Sequence, residues 1–377
     1  MTVAIDGSAA GVGVQIGAEA LVFRGVGRTF ERIGVPTVVL RPGEALVEVE
    51  FVTICGSDLH TASGARPAAV PVVLGHEQVG RIVALSPRRS PRDIEGRPLA
   101  IGDRVVWGVA VDCGRCRYCH AGLPQKCASL RKYGHDRVRR GWELSGGCAT
   151  HVQLLARTAV VRVGEDLPAE VLAPASCATA TVAAVLEAAE LVRPLAGSVV
   201  VVSGAGMRGL TAVAMARDAG ATVIATDPDP MRRMLAERFG ARETADGTRS
   251  GLAVALRRIP AARSGATIGI ELSGNPRAVA ALIEASDVGG VIMLAGSVFG
   301  AAPVPLDPET VVRRMLTVRG VHNYAPRHLG RAVAFLARAA TTMPFAELVG
   351  EQYALDDIER AFAAAADHAT PRVGIRP

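Results

Sequence analysis

Four valines at 199–202 run into Gly204-Ala-Gly206-Met-Arg-Gly209, and an Ala-rich stretch with helical spacing, 207-MRGLTAVAMARDAG-220, overlaps the last glycine and continues beyond it. A strand, GxGxxG and a helix in that order confine this half of the chain to a β-α-β unit of a parallel sheet. The first glycine permits the tight turn, the second lets a pyrophosphate come against the backbone, and the third lets the helix pack on the strand, with the phosphates at the helix N-terminus. Asp227 stands 23 residues after Gly204 at the end of the next apolar run, where a carboxylate can accept from both ribose hydroxyls. It would repel a 2′-phosphate, so the site reads as one for NAD. Arg232 and Arg233 keep NADP open, because an arginine can take that phosphate. The competing account is a glycine-rich turn in an unrelated α/β protein.

The surrounding pattern sets the architecture. At 377 residues and about 150 per domain, two domains are expected. The first half carries short β-branched runs, 45-ALVEVEFVTI-54, 79-VGRIVAL-85 and 103-DRVVWGV-109, punctuated by Gly and Pro, and reads as mostly β. From about 178 apolar strands alternate with helical stretches: 222-TVIAT-226, 230-PMRRMLAERFG-240, 267-TIGIEL-272 and 290-GVIMLAG-296 continue the series. That alternation is a doubly wound parallel sheet. The divisions are therefore 1–177, mostly β; 178–320, a dinucleotide-binding domain; and 321–377, two amphipathic helices and a short basic tail that return to the first domain.

Charge argues against a nucleic-acid partner. The net charge of +6 comes from 42 basic against 36 acidic residues spread along the chain, and only Lys126 and Lys132 are lysine. The densest basic runs, Arg88 to Arg97 and Arg131 to Arg140, are broken by Pro, Gly and acidic residues and carry no aromatic series for stacking bases. No stretch approaches 18 uninterrupted apolar residues and no basic residue precedes Arg24, so neither a membrane span nor a signal peptide is expected.

Seven cysteines are an odd number for disulfides, and four of them crowd into 15 residues. Cys113-Gly-Arg-Cys116-Arg-Tyr-Cys119 followed by Cys127 offers four thiolates to one tetrahedral zinc, a closed and therefore structural site; an iron–sulfur cluster and unliganded thiols are the alternatives. Cys55 in 55-CGSDLH-60, His76 in 75-GHE-77 and Cys177 in 176-SCATAT-181 remain. Singly each reads as a buried cysteine or a satisfied histidine. Beside a four-cysteine loop and a dinucleotide fingerprint they become a candidate set that would leave a fourth zinc position open for water or substrate.

In CGSDLH, GHE, the four-cysteine loop, GAGMRG and the order of the two domains, the chain resembles the zinc-dependent medium-chain alcohol dehydrogenases, for which a Cys₂His catalytic zinc is the known arrangement. Within them 132-KYGH-135, 145-SGG-147, SCATAT and 204-GAGMRGLTAVAMAR-217 look like a bacterial branch associated with phosphonate catabolism, and Cys177 differs from the Glu typical of the polyol and threonine dehydrogenase branches. The resemblance implies an α/β fold, a mostly-β GroES-like catalytic domain plus a Rossmann coenzyme domain, in a cytoplasmic homodimer or homotetramer. It implies an NAD-dependent oxidoreductase acting on a small primary or secondary alcohol or its carbonyl product, with two zinc ions per chain. Cys55, His76 and Cys177 look like the catalytic zinc ligands and Glu77 like the carboxylate behind them. Asp58 resembles the residue that fixes a ligating histidine, and Ser57 and His60 the proton relay. Thr181 falls at the nicotinamide, Arg232 near the adenosine ribose and Arg372 at the pyrophosphate, while Gly56 stands where other members carry an arginine. Cys148 matches no ligand position and reads as a small buried thiol. Val109 leaves room near the expected pocket, and Arg137, Arg139 and Arg140 face solvent sooner than an anionic substrate. A catalytically silent NAD-binding zinc protein is the rival reading, against which the intact Ser57 and His60 pair counts; a cyclitol or polyol dehydrogenase is the alternative for substrate.

Overall fold

The structure is a computed structural model that describes residues 2–4, 11–298 and 300–377. The chain divides into two compact units, one of residues 1–177, 325–340 and 345–377, the other of 178–324 and 341–344.

The first unit is built on β-sheet. One sheet runs in the order Val160–Arg162, Arg104–Trp107, Glu77–Leu85, Ala45–Thr53, Arg372–Arg376, Val349–Ala354, and His151–Leu154 also pairs with Ala45–Thr53. A second joins Thr2–Ala4, Val12–Phe23 and Glu31–Leu40, with Val72–Val73 on the middle strand. The core between them is aromatic and branched, with Leu46, Leu74, Ile82, Trp107 and Tyr133 fully buried. Tyr133 finds polar partners there: its hydroxyl shares a 2.7 Å hydrogen bond with Thr158 Oγ1 and accepts from the Leu155 amide at 2.8 Å. The segment 372–376, read from sequence as a basic tail, is a strand in antiparallel register with Ala45–Thr53, Gly374 opposite Thr53 and Ile375 opposite Val52. Arginines at its ends mask a strand whose middle, Val373 to Ile375, is buried.

The second unit holds a six-stranded parallel sheet in the order Glu243–Ala245, Thr222–Thr226, Val199–Ser203, Ala266–Glu271, Ser286–Leu294, Thr317–Gly320. The chain starts in the middle, winds outward one way, returns and winds the other way. That reversal beside Val199–Ser203 is where doubly wound sheets bind nucleotides. Three helices, Pro230–Arg238, Pro276–Ala285 and Pro308–Arg313, start by one device: proline at the first helical position behind Asp229, Asn275 or Asp307, whose side chain accepts an amide of the first turn. No single helix among the described residues is long and apolar enough to cross a membrane.

Candidate active site

Asp58 organises the first cluster. It lies in the short helix Gly56–Ala62 and is buried; Oδ2 accepts from the Cys55 amide at 3.0 Å and Oδ1 from the Gly75 amide at 3.3 Å. Oδ1 also stands 3.2 Å from His76 Nδ1, close enough for electrostatic pairing but off the line of a hydrogen bond. On the other side of the ring, Ser57 Oγ lies 3.2 Å from Nε2. Ser176 Oγ donates to the His76 carbonyl and accepts from the Gln78 amide, at 3.1 and 3.3 Å, which brings the next residue, Cys177, to the same place. One sulfur of Cys55, one ring nitrogen of His76 and the sulfur of Cys177 thus lie within 4.8 Å of one another.

This donor set fits zinc. Thiolates about 2.3 Å from a shared ion stand about 3.8 Å apart, so little rearrangement is needed. A hydrogen bond from Cys177 holds the Cys55 thiol well below its ordinary range, with the Arg372 cation helping against burial. Behind it Glu77, with no exposed surface, receives Arg372 as a fork, Nε at 2.6 Å and Nη2 at 2.8 Å, and Thr53 Oγ1 at 2.7 Å. Arg372 Nη2 also reaches Cys55 Sγ at 3.6 Å and Nη1 donates to the Pro371 carbonyl. The guanidinium expected at a pyrophosphate is here occupied by the metal cluster's own surroundings.

The second cluster is Cys113, Cys116, Cys119 and Cys127, with all four sulfurs within 4.8 Å of one another. Backbone amides of Cys113 and Ser129 point at Cys127 Sγ at 3.2 and 3.3 Å. Amides, that of Ala128 first, bring the Cys116 thiol down to about 6. Asp112 anchors the lobe through the Gly114 amide and Arg157. Four donors around one point, with amides favouring the charged sulfur, fit a closed zinc site. All seven cysteines are free of disulfides, and Cys148 is a buried thiol whose pKa burial pushes up.

In the second unit the fingerprint glycines are required by contacts. A Cβ on Gly204, whose φ is +94°, would stand 2.9 Å from Ser273 backbone, and one on Gly209 would stand 1.7 Å from the Gly204 carbonyl oxygen. Gly206 has nothing within 4 Å of that position, an open cradle suited to a phosphate. Asp227, buried at the end of Thr222–Thr226, accepts from the Ala205 amide at 2.8 Å and the Asp229 amide at 3.0 Å, so it also shapes the turn. Arg232 pairs with Asp229 at 3.6 Å, and Arg233 donates to the carbonyls of Asp227 and Pro228. Thr181 is buried in the helix Ala178–Glu190. In the first unit, Arg137, Arg139 and Arg140 are exposed, Val109 is buried and Gly56 faces open space.

Two groups escaped the sequence reading. Glu271 is a fully buried carboxylate that accepts from the Gly274 and Gly296 amides and the Ser273 and Ser297 hydroxyls, tying together the loops after two central strands. Its only sequence signal was an acid at the end of an apolar run. His135 lays its ring on that of His76, centroids 4.5 Å apart. A Cβ on Gly134, at φ +72°, would meet the Gly75 carbonyl oxygen at 2.6 Å, so the 132-KYGH-135 turn folds directly onto the GHE turn.

Residues 41–165 match the alcohol dehydrogenase GroES-like domain and residues 209–338 the family of zinc-binding dehydrogenases. An L-threonine 3-dehydrogenase from Streptomyces avermitilis is 32% identical over 339 residues, 88% of this chain and 91% of that one. The crystal structure of an alcohol dehydrogenase from Thermotoga maritima is similar with a TM-score of 0.89 and 29% identity, covering 96% and 99% of the two chains. A zinc-binding dehydrogenase from Sinorhizobium meliloti, solved bound to NADP, gives 0.80 and 28%, again over 96% and 99%. The chain belongs to the zinc-dependent medium-chain dehydrogenases. It is an oxidoreductase acting on CH–OH groups of small molecules, with a GroES-like domain, a Rossmann domain, and zinc and a nicotinamide as its cofactors.

Proposed function

We propose that the chain is an NAD-dependent alcohol dehydrogenase that holds a catalytic zinc with Cys55, His76 and Cys177 and a structural zinc with Cys113, Cys116, Cys119 and Cys127. The observation that carries the first assignment is the convergence of the three donors within 4.8 Å beside the Ser57 hydroxyl. Bound zinc supplies positive charge that eases loss of the substrate hydroxyl proton, and the nicotinamide takes the hydride. The protein does the rest. Asp58 faces Nδ1 of His76, which leaves Nε2 as the ligating nitrogen. Glu77 and Arg372 hold the ground behind Cys55 with nearly balanced charge. Ser57 and His60 sit three residues apart on one helix face and offer the proton a path from the cluster to solvent.

Asp227, with Gly204, Gly206 and Gly209, supports NAD over NADP, since a buried carboxylate opposes a 2′-phosphate. Arg232 and Thr181 complete the coenzyme contacts. A cytoplasmic homo-oligomer completes the reading. The test is a panel of alcohols with NAD and NADP, followed by reduced-nicotinamide absorbance. NAD binding without oxidation of any alcohol would make this a silent zinc protein; faster turnover with NADP would reverse the coenzyme assignment.

A further inference from the structure

Only two of the 42 basic residues are lysines, and both fall in the stretch that leads to the catalytic cluster. Lys132 ends the short strand Arg131–Lys132, which pairs with Ala110–Val111. The turn that follows puts the His135 ring on His76, and Lys132 is half-buried beside it. Arg66 lies just past the helix that carries Ser57, its amide bonded to the His60 carbonyl at 2.9 Å. Among the described residues neither the Lys132 ammonium nor the Arg66 guanidinium has a hydrogen bond or an ion pair.

Charge accumulates around these two groups. Burial first, and then Arg66 and Lys126, lower the Lys132 pKa, and Cys177 is close enough to raise it. Arg66 acts in the same sense on His60 and His135. Asp136 is the carboxylate that acts on Lys132, and it stands 3.7 Å from Arg131. Two thiolates neutralise a divalent zinc and Glu77 neutralises Arg372, which leaves the buried Asp58 carboxylate beside His76 as the negative charge of the metal centre. In a chain that otherwise uses arginine, a compact ammonium suits a confined contact where a planar guanidinium does not.

We propose that Arg66 and Lys132 form an anion subsite beside Cys55, His76 and Cys177, and that the substrate is an alcohol carrying a carboxylate, phosphate or phosphonate a few bonds from its hydroxyl carbon. The proposal rests on the dehydrogenase reading above and narrows its substrate class. The anionic group docks on the two cations while the hydroxyl faces the three donors. His135 forms the wall between them.

Matched pairs test it on the zinc-loaded enzyme: 3-hydroxybutyrate against 3-hydroxybutyramide, and 2-hydroxyethylphosphonate against its dimethyl ester. The anionic member of at least one pair is expected to have the higher kcat/KM by roughly tenfold or more, mostly through KM, and to lose that advantage in high salt. Which pair shows it separates carboxylate from phosphonate. Lys132→Met and Arg66→Gln should each level the ratio, with Arg66→Lys retaining part of it. Neutral members oxidised as fast as anionic ones would overturn the subsite and leave the dehydrogenase reading standing. Oxidation of no alcohol would sink that reading, and the subsite is then decided by binding alone. Line broadening of methylphosphonate in ³¹P NMR by the wild type, lost in Lys132→Met at unchanged zinc content, upholds it; equal broadening by both, or none by either, overturns it.

Discussion

Arg372 forks Glu77 across 295 residues of sequence, with Nε and Nη2 at 2.6 and 2.8 Å from the two carboxylate oxygens and both residues buried. The pair joins the last strand of the chain to the strand that starts with the GHE turn. Removing one partner leaves the other charged and buried, which costs about 3–5 kcal/mol. Arg372→Leu is therefore expected to unfold at markedly lower urea concentration than wild type, and Glu77→Gln, which keeps acceptor and shape, to lose less. Equal midpoints for Arg372→Leu and wild type would mean that the guanidinium lies elsewhere in solution.

The two metal clusters should separate in their consequences. Elemental analysis of enzyme never exposed to chelator is expected to give about two zinc ions per chain. Cys116→Ser should lose soluble yield and stability before it loses turnover per folded molecule, because a closed site contributes to folding. Cys177→Ser should fold and keep the structural zinc while losing activity. The reverse pattern would exchange the two roles.

How far the sequence spoke depended on how local each requirement was. GAGMRG was legible because each glycine answers a contact within one turn: Gly209 against the Gly204 carbonyl, Gly204 against Ser273. The four-cysteine loop is equally local. The contact of Arg372 with Glu77 was not legible, because Glu77 is distant in sequence and close only through the pairing of Arg372–Arg376 with Ala45–Thr53. Lys132 and His135 were passed over because their place beside His76 depends on the left-handed backbone at Gly134, which periodicity does not encode. Arg66 gave no signal at all; one arginine among many says nothing until His60 is beside it.

Coenzyme choice should turn on Asp227, with a complication that the structure adds. Its carboxylate accepts the Ala205 and Asp229 amides, so Asp227→Ala removes ribose acceptors and also loosens the fingerprint turn. NAD affinity is expected to fall by one to two orders of magnitude, about 1 to 3 kcal/mol, while NADP affinity falls less or rises. Binding titrations with both coenzymes measure this. A wild type that already prefers NADP would shift the discrimination to Arg232 and Arg233.

The proton path gives the pH dependence. Burial lowers the His60 pKa, Arg66 and His368 lower it further, and the Cys55 thiolate opposes them. An imidazole with a lowered pKa remains a neutral acceptor at pH values where a free one, near 6.5, is half protonated. Wild-type kcat should accordingly hold its plateau below pH 6.5 and fall only as His60 takes up its proton. His60→Ala should keep both zinc ions and nearly all its NAD affinity, since His60 belongs to neither set of contacts. It should lose turnover at the low end of the hundredfold to ten-thousandfold range typical of general acid–base groups, because water can partly replace a relay member near solvent. The acid limb should disappear with it, and imidazole buffer should restore part of the rate. Wild-type turnover by His60→Ala from about pH 6 to 9, or loss of zinc from it, would remove His60 from the relay.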